Sequence, residues 1–97
     1  MATIRFASGV SADFERIVRH LVEHGVPDAA DRVHDIVTAI DILQRNPMIG
    51  RRAGGQLREL VIGKGSRGYL ALYAWHAPRD LVEVLAIRAQ SESGYAR

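Results

Sequence analysis

Leu57-Arg58-Glu59-Leu60-Val61-Ile62, Tyr69-Leu70-Ala71-Leu72-Tyr73-Ala74-Trp75 and Leu81-Val82-Glu83-Val84-Leu85-Ala86-Ile87 decide the fold. All three runs are rich in the aliphatic and aromatic residues that suit a pleated surface. Gly63-Lys64-Gly65-Ser66-Arg67-Gly68 parts the first from the second, and His76-Ala77-Pro78-Arg79-Asp80 parts the second from the third; both are turn sequences. Strands joined so briefly predict an antiparallel meander. In the middle run Tyr69, Ala71, Tyr73 and Trp75 share one face, and Leu70, Leu72 and Ala74 the other. The third run is almost continuously apolar, which predicts a central strand covered on a face.

Upstream, the period of the apolar residues changes. Thr3 to Ala7 alternates Ile4 and Phe6 with Thr3 and Arg5, as a short strand does. Phe14, Ile17, Val18 and Leu21 then recur at helical spacing. Ser11 is the predicted N-cap, with Asp13 and Glu15 in the first turn, where the helix dipole favours acids. Asp13, Arg16, His20, Glu23 and His24 are expected to fall away from the apolar stripe. Gly25 is placed to end the helix in the left-handed conformation. Pro27 is placed for the first turn of a second helix, whose stripe is Ala29, Val33, Ile36, Val37, Ile40 and Leu43. Asn46-Pro47 stops it, and Met48 to Gln56 reads as loop. The order is β-α-α-β-β-β. It predicts an α+β fold in which a helical hairpin packs on a small, mainly antiparallel sheet. The first strand must add to an edge of the meander, its partner undetermined.

A chain of 97 residues is expected to form one domain, over 1–97, with 89–97 a loose tail. There is no cysteine, so neither a disulfide nor a thiolate site exists. The start, Met1-Ala2-Thr3-Ile4-Arg5-Phe6, does not read as a signal peptide, and a cytoplasmic location is expected. Charge is uneven: residues 1–46 carry five basic and seven acidic side chains, residues 47–97 eight basic and four acidic. The second half is therefore expected to meet an acidic partner or anionic surface, against the plainer alternative of a solvated basic face.

Several residues invite a chemical reading, each beside a plainer one. The turn around Lys64 and Arg67 has glycines whose N–H groups can cradle phosphate, but it lacks the P-loop spacing and no helix follows; a hairpin turn with solvated cations is its ordinary use. Arg51, Arg52 and Arg58 suit contacts to carboxylate or phosphate, or simply solvent. His20 and His24, four apart on a helix, have no third metal ligand at a telling distance, so no metal site is assigned. His76 has no nucleophile paired with it. Tyr69, Tyr73 and Trp75 serve either base stacking or core packing. Arg88 and Tyr95 can serve phosphodiester cleavage, or be a surface cation and a tail aromatic.

Three stretches, in this order and spacing, give the whole chain a family likeness. They are Arg45-Asn46-Pro47-Met48-Ile49-Gly50-Arg51; Leu57 to Ile62 with Gly68 to Tyr73; and Val82 to Arg88 leading to Ser91-Glu92-Ser93-Gly94-Tyr95. The chain resembles toxins of the RelE/ParE superfamily from bacterial type II toxin–antitoxin pairs. The resemblance implies a toxin that arrests growth, uses no cofactor, and is bound by an acidic cognate antitoxin. RelE-like members cleave mRNA on the ribosome without metal; carried over, their residues fall on Arg58, Arg88 and Tyr95. ParE-like members inhibit DNA gyrase and are not nucleases. Leu70 and Ala89 stand where RelE-like members carry arginines, so the resemblance tilts toward the ParE-like, non-enzymatic kind. Arg51, Arg52, Lys64, Arg67 and Arg88 are then candidate contacts to target or antitoxin. A relative without toxicity, which only binds its antitoxin, is the third alternative.

Overall fold

The computed structural model describes residues 1–64 and 67–96. Two helices, α1 (Val10–Glu23) and α2 (Ala29–Ile40), cover one face of a sheet of five strands. The strands are β1 (Thr3–Phe6), β2 (Arg51–Arg52), β3 (Leu57–Ile62), β4 (Tyr69–His76) and β5 (Leu81–Ala89), in the spatial order β1-β5-β4-β3-β2. The meander β3-β4-β5 is antiparallel, as its short connections demand. The first strand lies parallel to β5, with Ile4 beside Val82 and Phe6 beside Val84. The αα hairpin carries the chain from that edge to the opposite one.

The core lies between the hairpin and the sheet. Ile17, Leu21, Ile36 and Ile40 from the helices meet Tyr69, Ala71, Tyr73, Val82, Val84 and Ile87 from the strands. Tyr69, Ala71, Tyr73 and Trp75 do share the helix-facing side, and their use is packing. The nearly unbroken apolar run of β5 has a geometric cause. Leu72 pairs with Ala86 but Tyr73 pairs with Val84, so Leu85 is an extra residue in a β-bulge. The bulge switches the inward parity from Val82 and Val84 to Ile87.

Four local expectations are corrected. α1 starts at Val10 with Gly9, not Ser11, as its N-cap, because Val10 is buried and anchors the start. Pro27 lies before the second helix rather than in its first turn; Asp28, at φ 59°, reverses the chain and its carbonyl accepts the Asp31 and Arg32 N–H groups. The stretch 48–56 is not all loop: Arg51 and Arg52 pair with Glu59 and Arg58 as an edge strand. In place of a loose tail, β5 runs to Ala89, Gln90 N–H bonds the Gly68 carbonyl, and the next residues fold back on the sheet. Gly25 does end α1 at φ 68°. Val26 N–H reaches the Leu21 carbonyl and Gly25 N–H the Val22 carbonyl, which closes the helix end.

Candidate functional site

Strand alternation sorts the charged residues between the two faces of the sheet. Arg58 pairs with Tyr73, whose side chain is in the core, so Arg58 is on the helix-facing side. There its guanidinium donates to the carbonyls of Gly50 at 2.8 Å and Met48 at 3.1 Å, and so pins the loop before β2. Arg88 pairs with Leu70, and Glu59 with Leu72, which places both on the opposite, outer face. The trio Arg58, Arg88 and Tyr95 is therefore split: Arg88 and Tyr95 come together, and Arg58 is across the sheet.

What joins Arg88 and Tyr95 is Glu59. Its carboxylate accepts the Tyr95 hydroxyl at 2.5 Å on one oxygen and Arg51 Nη2 at 2.6 Å on the other. Arg88 stacks over the Tyr95 ring, its Cζ 5.1 Å from the centroid, and Nη1 donates to the Glu92 carbonyl at 2.6 Å. Arg88 Nε is buried without a hydrogen-bond partner among the described residues. Burial pushes the Glu59 carboxyl up, but hydrogen bonds from Tyr95 and Arg51 outweigh it and hold it below its ordinary value. Burial, and then the hydrogen bond to Glu59, push the Tyr95 phenol far above its ordinary value. Tyr95 is thus a proton donor that keeps its proton. Glu59 was missed from sequence because its partners are remote; its alternation with Arg58 was the available signal that the two face apart.

Leu70 lies beside Arg88 on the outer face, and the second cation of the cluster is Arg51, held by Glu59. Ala89 pairs with Tyr69 and so faces the helices. Arg52 and Lys64 are exposed, on the edge strand and past the end of β3. Arg67 is exposed just before β4, while the phosphate-cradle reading also involved Gly65 and Ser66, which lie outside the described residues. His20 and His24 sit with ring centroids 4.1 Å apart; among the described residues no third ligand joins them. His76 Nε2 lies 3.7 Å from Glu83, which is bound by Arg5.

A second polar centre went unread in the sequence. Asp13, expected to face solvent, is fully buried. One of its oxygens accepts the Ile87 N–H at 2.9 Å, and the other accepts Arg16 Nη1 at 2.8 Å. Arg16 goes on to the Ile87 carbonyl at 3.0 Å and to Glu92 at 3.2 Å. These bonds dock α1 on β5 and tie the tail to α1.

With this geometry in view, the family model described as "ParE toxin of type II toxin-antitoxin system, parDE" matches residues 4–94. The chain belongs to the ParE toxin family. It is a type II toxin of the RelE/ParE superfamily. A solved structure titled "Chromosomal ParDE TA system from P. aeruginosa" matches this ParE-family chain with a TM-score of 0.74 and 24% identity. The match covers 92% of this chain and 96% of that one, and at that identity it shows the shared fold. No curated protein matches. Among the described residues of the ParE-family chain, no helix is long and apolar enough to cross a membrane.

Proposed function

We propose that this toxin arrests growth in the cytoplasm by binding DNA gyrase, and that an acidic antitoxin encoded beside it neutralises it. One observation carries the reading: the Tyr95 hydroxyl, the Glu59 carboxylate and Nη1 of Arg88 are taken up by the chain's own partners. The Tyr95 hydroxyl donates a hydrogen bond to Glu59, Arg51 pairs with Glu59, and Arg88 holds the Glu92 carbonyl. Metal-independent RNA cleavage requires cations aimed at the developing phosphate charge and a group that exchanges protons near neutral pH. A phenol held far above its ordinary value is a poor base. Leu70 supplies no neighbouring cation, and Arg58 is across the sheet. The surface fits docking better than chemistry. The excess of basic residues in 47–97, Arg51, Arg52, Lys64, Arg67 and Arg88 among them, supports an acidic partner.

A second reading, a RelE-like endonuclease acting on ribosome-bound mRNA, is favoured by the stacking of Arg88 on Tyr95. Induced expression followed by a supercoiling assay and primer extension on cellular transcripts separates the two. Loss of supercoiling with intact transcripts is the expected result. Unimpaired supercoiling together with cuts inside codons that disappear in Tyr95→Phe would establish the nuclease instead. Unimpaired growth would favour the relative that only binds its antitoxin.

A further inference from the structure

Away from the Arg88–Tyr95 cluster, exposed apolar side chains gather between α2 and β2: Ile42, Met48 and Ile49 are 45%, 59% and 54% exposed. The backbone that carries them is held in place. Asn46 N–H and Nδ2 both donate to the Ile42 carbonyl, at 3.0 and 3.2 Å, and Ile49 N–H donates to the Asn46 carbonyl at 3.1 Å. That last bond closes a β-turn with Pro47 in its second position, where a fixed φ fits, and Met48 in its third. Arg58 holds the Met48 and Gly50 carbonyls, and the Tyr73 hydroxyl accepts the Gly50 N–H. Apolar side chains presented to water on a pinned turn do nothing for the chain's own core. They suit a partner, because a pre-organised contact loses little conformational entropy on binding.

The surroundings are those of an interface. Arg45 precedes the turn and Arg52 follows it; both are exposed, and among the described residues neither has an ion-pair partner. Arg52 is opposite Arg58 in the β2–β3 register, so it lies on the helix-facing side with the turn that Arg58 holds. Beside the turn, Arg45, Pro47 and the half-buried Trp75 wall an open hollow of about 480 Å³. Asp80, also in its wall, lies 3.6 Å from the terminal ammonium. Arginine and tryptophan are the residue types that most often carry binding energy.

We propose that this turn is a knob by which the toxin grips its folded protein target, Met48 and Ile49 entering an apolar cleft whose rim carries carboxylates for Arg45 and Arg52. The inference rests on the proposed reading that the target is DNA gyrase, and it names the surface that meets it. Shape and charge select the occupant. A convex apolar tip needs a concave apolar partner, which a folded protein supplies and a short segment that folds on binding does not. Two free cations beside the tip match an acidic rim. An apolar wedge in DNA is the other use of such side chains, but two flanking cations are few beside the phosphate contacts by which DNA is held.

The test is a supercoiling assay with purified gyrase, relaxed plasmid and the purified full chain. Met48→Ser/Ile49→Ser is expected to raise the half-inhibitory concentration at least tenfold, and Arg45→Glu/Arg52→Glu at least threefold. Val22→Ser, which removes an exposed apolar side chain from α1, is expected to stay within threefold of the unaltered chain. Circular dichroism checks that each variant is folded, and Met48→Gln/Ile49→Thr, expected at least fivefold weaker, replaces the turn variant if it is not. Inhibition by the unaltered chain with no loss in the turn variant, or with as large a loss in Val22→Ser, overturns the knob alone. No inhibition by the unaltered chain overturns the gyrase reading and the knob with it. A shift of the plasmid by the chain alone, abolished in the turn variant, overturns the proposal in favour of a wedge in DNA.

Discussion

Gly50 has no room for a side chain. A Cβ there would lie 2.6 Å from both Cε1 and the hydroxyl oxygen of Tyr73, and 3.0 Å from the Glu59 carbonyl oxygen. Its N–H donates to that same hydroxyl at 2.9 Å, so the loop before β2 is seated on a buried tyrosine. Gly50→Ala is expected to cost about 1–3 kcal/mol, the usual result of overpacking, measured by urea denaturation. In a Tyr73→Phe background the same substitution should cost less, because one of the two crowding atoms is gone. Equal costs in the two backgrounds would mean that the crowding is not with Tyr73. Nothing local marks Gly50 as a packing glycine, because Tyr73 is 23 residues away in the chain.

The joint between α1 and β5 turns on Asp13. Val10, Asp13, Ile17 and Leu21 follow one another at three and four residues, so Asp13 lies on the buried stripe by spacing alone. Its charge argued for solvent, and the sequence does not display the Ile87 N–H that satisfies it. Asp13→Ala leaves the buried Ile87 N–H without its acceptor, while Arg16 keeps the Ile87 carbonyl and Glu92, and an unsatisfied buried donor costs about 1–3 kcal/mol. Asp13→Asn keeps an oxygen for Ile87 and should cost clearly less. Melting temperatures of the two variants check the order, and equal losses would show that the Ile87 bond contributes nothing. The bulge at Leu85 belongs to the same joint, since it sets the face on which Ile87 arrives. An apolar run with no polar alternation conceals such a shift of parity.

For the molecule as a whole, acid and alkali act on the outer face in opposite ways. Glu59 sits below its ordinary value through the balance of burial against Tyr95 and Arg51, and Glu83 through its hydrogen bond from Arg5. A depressed carboxyl adds stability above its unfolded value, 4.5, and that stability is lost as the pH falls through the lower folded value. Tyr95 is raised by burial and by Glu59, so its contribution is complete below the unfolded value of 10.0 and is lost as pH rises above that. Stability against urea should therefore be flat near neutrality and fall at both extremes. Glu59→Gln should blunt the acid limb, and Tyr95→Phe the alkaline one. An unchanged alkaline limb in Tyr95→Phe would show that the tail is not anchored by the phenol.

By itself the sequence determined the order of elements, the three strands of the meander, the helical hairpin and the family likeness. These rest on local periodicity and turn chemistry, which neighbouring residues carry between them. Only the tertiary structure decided that β1 lies parallel to β5, that Arg58 and Arg88 face opposite ways, and that Glu59 gathers Arg51 and Tyr95. The hydrogen bonds that settle these points span 36 residues from Tyr95 to Glu59 and 78 from Arg5 to Glu83. Alternation along a strand says that Arg58 and Glu59 point apart, but not which of them the helices cover. That choice is made by burial of Tyr69, Ala71 and Tyr73 beneath the hairpin, a contact between distant parts of the chain.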